Sequence, residues 1–404
     1  LERKLVLEFD NKMMGEFIMS SIYSLLNIGK IVAGAGSIEQ ITNIVADYEA
    51  KNVVIITDQG VWGSGLVDNP KALLEGAGVN VHVINDTPPE PTVDQVNAIF
   101  QAAKEFECQM IIGIGGGSSM DAAKIVSLLL TNSVNLRELV KGKAQIKRRG
   151  VPTLMIPTTA GTGSEATPNA IVLVPEEELK VGIVSEKMVP DCVILDPNLT
   201  INLPQHITAN TGMDALCHAI ECYISKKANP FSDTFALKAI TLISRSIRIA
   251  YHDGHNVAAR EDMLLGAMFG GISIATSSTT AVHALSYPLG GKYHIPHGLS
   301  NAILLPDVMK FNLDVCEEKF KDIAVAMELE ISGSTTRQAA EKMIDNLYSL
   351  IKDLNVTCDL RAKGINEAAL DDLIEAAAKV TRLLDNNPKV VTKEDMRAIY
   401  KKIL

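Results

Sequence analysis

Aromatic residues are scarce in this chain: one Trp, eight Tyr and nine Phe make up 4% of 404 residues. So thin a supply disfavours a platform on which bases or sugar rings stack. An excess of basic residues is also lacking, since 38 Lys and Arg stand against 48 Asp and Glu for a net charge of -10. Phosphate neutralisation needs a basic face, which argues against nucleic acid as the main partner. The one basic cluster, Lys141, Lys143, Lys147, Arg148 and Arg149, reads as a solvated loop. No apolar run approaches the roughly 18 residues that span a bilayer, and the start lacks the order of a signal peptide. The six cysteines show no CxxC pair, as expected of reduced thiols in a cytoplasmic protein. What is present, 47% hydrophobic residues over 404 positions, suffices for two or three cores.

From Lys30 to Pro197, short apolar runs alternate with helix-period stretches. Residues 51–57, 79–84, 110–114, 153–156 and 192–195 are strand candidates, and 37–48, 93–106 and 120–130 are helix candidates. Continuous apolar runs suit strands covered on both faces, hence a mostly parallel sheet. Beyond Leu203-Pro204 the pattern turns helical, over 207–224, 232–251, 257–275, 313–327, 335–354 and 367–381. The expected organisation is an N-terminal arm or docking helix over 1–28, with Met14, Ile18, Ile22 and Leu25 on one face, an α/β domain over 29–202 and an all-α domain over 203–404. A cleft between two such halves is a favoured ligand site.

The strand candidate at 110–114 runs into Gly115-Gly116-Gly117-Ser118-Ser119, with Asp121 at a helix start. Glycines there let backbone N–H groups approach a pyrophosphate, and the helix N-terminus favours its charge. This is not a GxGxxG fingerprint, because position 120 is Met. A second turn, Pro157-Thr158-Thr159-Ala160-Gly161-Thr162-Gly163-Ser164-Glu165, crowds hydroxyls and small residues at another strand end. Asp58, just past a third apolar run, suits the ribose hydroxyls of NAD and would repel a 2′-phosphate.

Asp214 and His218 stand at i and i+4 in a helical run, so carboxylate and imidazole share one face. Only eight histidines exist in the chain, and His283, His294 and His297 crowd a segment broken by Pro288, Gly290, Gly291 and Pro296. One carboxylate and three imidazoles, without thiolate, suit a divalent ion such as Fe²⁺ or Zn²⁺.

These motifs together resemble the iron-containing (group III) alcohol dehydrogenase family, from about Gly29 onward. The carriers are Gly115 to Ser118 with Asp121, Pro157 to Thr162, Gly212-Met213-Asp214-Ala215 with His218-Ala219-Ile220-Glu221, and Pro296-His297-Gly298. The resemblance implies a Rossmann-like dinucleotide-binding α/β domain, a helical metal-binding domain and NAD(H)-dependent alcohol–aldehyde interconversion. It implies Asp214, His218, His283 and His297 as metal ligands, with Fe²⁺ foremost and Zn²⁺ or Mn²⁺ as alternatives. Gly116, Gly117, Ser118, Asp121, Thr158, Thr159, Thr162 and Lys180 match cofactor positions, Asp58 the NAD-selecting carboxylate, and Asn169 a position near substrate. A homodimer is implied as well.

One departure stands out. Family members usually carry a second histidine four residues after the third ligand, where this chain has Tyr287. Tyr287 or His294 is therefore the candidate for proton exchange through water. The hydroxyl-rich stretch Thr276 to Thr280 points to a short aldehyde with a polar or anionic tail, of the sulfoacetaldehyde or lactaldehyde type, with Thr276 beside it. The alternative is a general short-chain alcohol or 1,3-propanediol dehydrogenase. More remote are a lyase like dehydroquinate synthase and a non-catalytic assembly partner.

Overall fold

The computed structural model describes residues 22–177 and 179–404. Met14 and Ile18, half of the expected N-terminal apolar face, lie outside them; residues 22–28 are not helical, and Ile22 is exposed.

Eight strands form in the first half: β1 (Lys30–Ala33), β2 (Asn52–Ile56), β3 (Asn80–Ile84), β4 (Met110–Gly115), β5 (Thr153–Pro157), β6 (Asn169–Val174), β7 (Leu179–Val184) and β8 (Cys192–Leu195). Six of them make one sheet in the order β1-β8-β5-β4-β2-β3, with every pairing parallel. Successive side chains enter different cores. Val53, Ile55, Ile112 and Ile194 face one layer, while Val54, Ile56, Ile111 and Val193 face the other. That two-sided burial is why these strands read as unbroken apolar runs. The chain winds outward from β2 to β3, then returns to β4 on the opposite side of β2. Such a switch point opens a crevice at the carboxyl ends of the strands, where Asp58 follows β2 and Gly116 follows β4.

β6 and β7 form a separate antiparallel hairpin, and β1 is a short edge strand; neither was expected. β6 alternates half-buried and buried positions, the pattern of a strand with one covered face, and it lies outside the main sheet.

From Gln205 onward every regular element among the described residues is helical. The Gln205–Ile224 helix is its axis, buried almost continuously from Gly212 to Ile224. The Pro230–His252, Val257–Thr276 and His297–Ala326 helices pack on it. The segment expected to be broken at Pro288 is instead a helix, Ala281–Tyr293, that carries Pro288 inside it. Proline removes one backbone hydrogen bond there, yet buried Val282, Leu285 and Leu289 hold the helix against the core. The chain breaks later, at His294, whose φ of 53° ends the helix. Likewise 313–327 is the second part of His297–Ala326, which kinks at Cys316. No helix among the described residues is long and apolar enough to cross a membrane.

Candidate active site

Two glycine-rich turns meet at the carboxyl edge of the sheet, because β4 and β5 are neighbours with Gly115 opposite Pro157. The Gly117–Thr131 helix starts after Gly116, which offers no side-chain cap. Its first N–H groups are therefore available to an anion. A Cβ on Gly117 would stand 2.8 Å from Thr162, so glycine is needed for the two turns to touch. Thr159 lies against Gly116, and Thr158 donates its N–H to the Gly115 carbonyl at 3.0 Å. Asp58 caps the following helix through Oδ1, at 2.9 Å from Gly60 N and 3.0 Å from Val61 N. Its Oδ2 faces Ser119 Oγ at 3.4 Å.

Asp121 is placed differently from Gly117 and Ser118. Ser164 Oγ donates to its Oδ1 at 2.5 Å and Ile171 N to its Oδ2 at 2.8 Å, while buried Lys124 lies 3.1 Å away. It ties the glycine-rich helix to the hairpin and the second turn. Lys180, on β7, pairs with Glu90 at 2.5 Å, and Glu90 N donates to Ser118 Oγ at 3.1 Å.

Asp214, His218, His283 and His297 converge from three helices, with one ligand-type atom of each within 4.8 Å of the others. The Nε2 atoms of His218, His283 and His297 lie 3.9, 3.9 and 3.7 Å from Asp214 Oδ1. His297 opens its helix, and Gly298 makes the approach possible: a Cβ there would lie 2.3 Å from the Asn210 carbonyl oxygen. Asn301, one turn after His297, points its amide into the cluster. Its Nδ2 is 2.7 Å from Asp214 Oδ1, 3.1 Å from His283 Nε2 and 3.2 Å from His297 Nε2. Two amide hydrogens thus face three acceptors. A buried carboxylate and three imidazole lone pairs suit a divalent cation.

Three of the four groups shift toward the form that a cation needs, and His283 is the exception. Burial alone would raise the Asp214 carboxyl, but His218, His297 and His283 together with Asn301 hold it below its ordinary range. Burial lowers His218, and it takes His297 to about 4. His283 moves upward because Glu221 outweighs burial.

Glu221 is the residue whose task went unread in the sequence. Fully buried, it accepts at Oε1 from Thr280 N (3.1 Å), Thr280 Oγ1 (2.7 Å) and Val282 N (2.7 Å), while Oε2 meets His283 Nδ1. Cys217 approaches the same Oε2 at 3.8 Å, but burial keeps its thiol protonated. Glu221 lies seven residues after Asp214, on the same helix face, and Asn301 lies four after His297. Both spacings were available signals.

A cavity of about 530 Å³ joins the two halves of the site. Gly117, Ser118 and Thr162 of the glycine-rich turns, His218, His283, His297 and Tyr287 of the helical half, and Asn169 and Lys180 of the hairpin all line it. Tyr287 stands 6.1 Å from His297, ring to ring, and burial keeps its hydroxyl protonated. His294 is exposed at the helix end and does not line this cavity. Thr276 does not line it either: its hydroxyl donates back to the Ile272 carbonyl at 2.8 Å within the Val257–Thr276 helix. The hydroxyl-bearing wall is Ser277, Ser278 and Thr279.

A nucleotide-binding crevice sharing one cavity with a His₃Asp cluster defines a metal-dependent dinucleotide oxidoreductase. The family models for iron-containing alcohol dehydrogenase match residues 29–197, and for the C-terminal part of the Fe-containing alcohol dehydrogenase family residues 208–404. The chain belongs to the iron-containing alcohol dehydrogenase family, whose enzymes use NAD(H) and a divalent metal. It is 36% identical to long-chain-alcohol dehydrogenase 1 of Geobacillus thermodenitrificans, over 91% of this chain and 93% of that protein. A crystal structure of 1,3-propanediol oxidoreductase superposes with a TM-score of 0.91 at 33% identity, over 95% of this chain and all of that one, 100%. The NAD⁺ complex of sulfoacetaldehyde reductase from Bifidobacterium kashiwanohense gives 0.86 at 26% identity, over 95% and 99%. Asp214, His218, His283 and His297 form a group that could hold such a divalent metal.

Proposed function

We propose that this enzyme reduces a short aldehyde with a polar or anionic tail: RCHO + NADH + H⁺ gives RCH₂OH + NAD⁺. The observation that carries the reading is the shared cavity, in which the Gly117 and Ser118 turn and the imidazoles of His283 and His297 line one space. The alternative, a general short-chain alcohol or 1,3-propanediol dehydrogenase, is favoured by no lining residue in particular.

In this reading Gly116, Gly117, Ser118, Thr158, Thr159 and Thr162 seat the pyrophosphate and adjoining sugar. Asp58 takes the adenosine ribose hydroxyls and disfavours NADP. Asp121 shapes the turn from behind, through Ser164 and Ile171, and Lys180 and Asn169 bound the nicotinamide end. The bound divalent ion supplies Lewis acidity to the substrate oxygen. Alignment of the nicotinamide with the carbonyl carbon is the protein's contribution, and the cavity walls exclude bulk water. The Tyr287 hydroxyl has no protein partner among the described residues, so it is free to donate a hydrogen bond or hold a water that returns the proton to the alkoxide. Subunits pair as a homodimer.

The test is NADH oxidation with small aldehydes after loading Fe²⁺, Zn²⁺ or Mn²⁺, comparing wild type with His297→Ala. Metal-dependent turnover should vanish in the variant while NADH binding survives. Full activity in metal-free His297→Ala would overturn the assignment.

A further inference from the structure

The cavity wall beyond the metal cluster carries two cations with no assigned task. Lys227 lies in the turn after the Gln205–Ile224 helix, and Arg382 on the short Thr381–Leu384 helix; both line the cavity. Neither has an ion-pair partner among the described residues. The other two lysines of this region are committed, Lys180 to Glu90 and Lys124 to Asp121. The carboxylates along the cavity are engaged too: Glu90 by Lys180 and Asp121 by Ser164 and Ile171. Asp214 belongs to the metal cluster. No lining carboxylate is left to neutralise Lys227 or Arg382.

The same cavity is lined by Ser278 and Thr279, nearly buried at 8% and 7% exposure. Their hydroxyls have no protein partner among the described residues. Their position is fixed from the metal side, since the next residue, Thr280, is held by both its N–H and its hydroxyl on Glu221. Arg382 is close enough to His283 and Tyr287 for its charge to act on both. A guanidinium, an ammonium and two open hydroxyls lining one cavity, together with apolar Ile274 and Ala275, supply the groups that a small oxyanion needs. A planar guanidinium fork suits carboxylate or sulfonate oxygens in pairs.

We propose that Arg382 and Lys227, with the hydroxyls of Ser278 and Thr279, form an anion subsite for the carboxylate or sulfonate tail of a short aldehyde. This rests on the aldehyde-reductase reading above and narrows it from polar to anionic tails. Both cations are exposed at the cavity rim, so a neutral tail leaves them to water, while an anionic tail gains their charge and a cationic tail is repelled by it.

Two measurements on the metal-loaded enzyme test the subsite. The first compares kcat/KM for sulfoacetaldehyde and succinic semialdehyde with propanal and betaine aldehyde, in wild type, Arg382→Ala, Arg382→Lys and Lys227→Ala. Charged hydrogen bonds of this kind are worth about 10- to 100-fold in affinity. The anionic-over-neutral preference should fall by that factor in Arg382→Ala, mostly through KM, and be partly kept in Arg382→Lys. Betaine aldehyde should be the poorest wild-type substrate. Arg248→Ala, a control at an exposed pair with Asp353, should leave the preference unaltered. The sulfonate and semialdehyde arms show which oxyanion is preferred.

The second is calorimetric titration of the NAD⁺-bound enzyme with 2-hydroxyethanesulfonate and with propanol. Binding of the sulfonate that weakens tenfold or more in Arg382→Ala supports the subsite even if no aldehyde is turned over. Equal sulfonate binding in wild type, Arg382→Ala and Lys227→Ala, with each variant folded by circular dichroism, overturns it. Turnover of neutral aldehydes alone, with no sulfonate binding, overturns the subsite and leaves the reductase reading standing.

Discussion

Glu221 and His283 form a buried carboxylate–imidazole pair, Oε2 against Nδ1, and the other Glu221 oxygen is held by Thr280 and Val282. The carboxylate accepts the Nδ1 proton and leaves the Nε2 lone pair for the metal cluster. Glu221→Gln reverses this logic. If the glutamine oxygen keeps Thr280 and Val282, its NH₂ faces Nδ1, and the ring proton must move to Nε2. Metal affinity should fall about 10- to 100-fold, read by competition with a chromogenic chelator. Unchanged affinity would remove the positioning role.

Asp58 caps a helix through one oxygen, and the proposed reading gives the same carboxylate a cofactor-selecting task, so the two can be separated. Asparagine keeps an oxygen for Gly60 and Val61 but removes the charge. Asp58→Asn should raise the NADPH-to-NADH ratio of kcat/KM at least tenfold with Tm nearly unchanged. Asp58→Ala also loses the cap, at a cost of about 0.5–2 kcal/mol. An unaltered cofactor ratio in both variants would count against the ribose contact.

Tyr287 replaces a histidine, and a protonated phenol cannot titrate near neutrality. Wild-type kcat should therefore show no inflection from this position between pH 6 and 8. Tyr287→His adds a group with an ordinary value near 6.5, lowered here by the same burial that lowers His297, and a new inflection in kcat should appear on the acid side of 6.5. Tyr287→Phe should lower kcat about tenfold or more with the NADH Kd unchanged. Full kcat in Tyr287→Phe would exclude the hydroxyl from proton exchange.

Glu165, buried beside the second glycine-rich turn, is pushed by burial from 4.5 to about 7. Its folded value lies above the unfolded one, so the folded chain holds this proton more tightly. The resulting stabilisation is full below about pH 4.5 and is lost as pH rises through 7, a change on the order of 3 kcal/mol. Glu165→Gln should flatten this part of the Tm profile and raise Tm at pH 7.5, measured by scanning calorimetry. An identical profile in both proteins would refute it.

Five of the six main-sheet strands were legible because burial on both faces turns a parallel strand into an apolar run, as in Val53 to Ile56 and Met110 to Ile112. β1 was not, being four residues long and mostly exposed, and the β6–β7 hairpin hid behind half-buried alternation. Pro288 and its neighbouring glycines masked a helix because proline's local cost is overruled by the packing of Leu285 and Leu289. Thr276 and His294 were drawn toward the site by proximity in sequence. The structure turns one back onto its own helix and leaves the other on the surface.

By itself the sequence determined the chemistry on offer: a glycine-rich turn after an apolar strand, a carboxylate and an imidazole at helical spacing, two further histidines, and the family that combines them. Those signals are local, set by strand period, helix period and turn chemistry. Only the tertiary structure decided which groups share a space. Glu221, Asn301, Lys227 and Arg382 acquire meaning from partners distant in the chain, or from having none. The scarcity of aromatics has its counterpart there, in a cavity whose lining includes the hydroxyls of Ser277, Ser278 and Thr279 and the cations Lys227 and Arg382, with Tyr287 as the one aromatic side chain outside the metal cluster among the described residues.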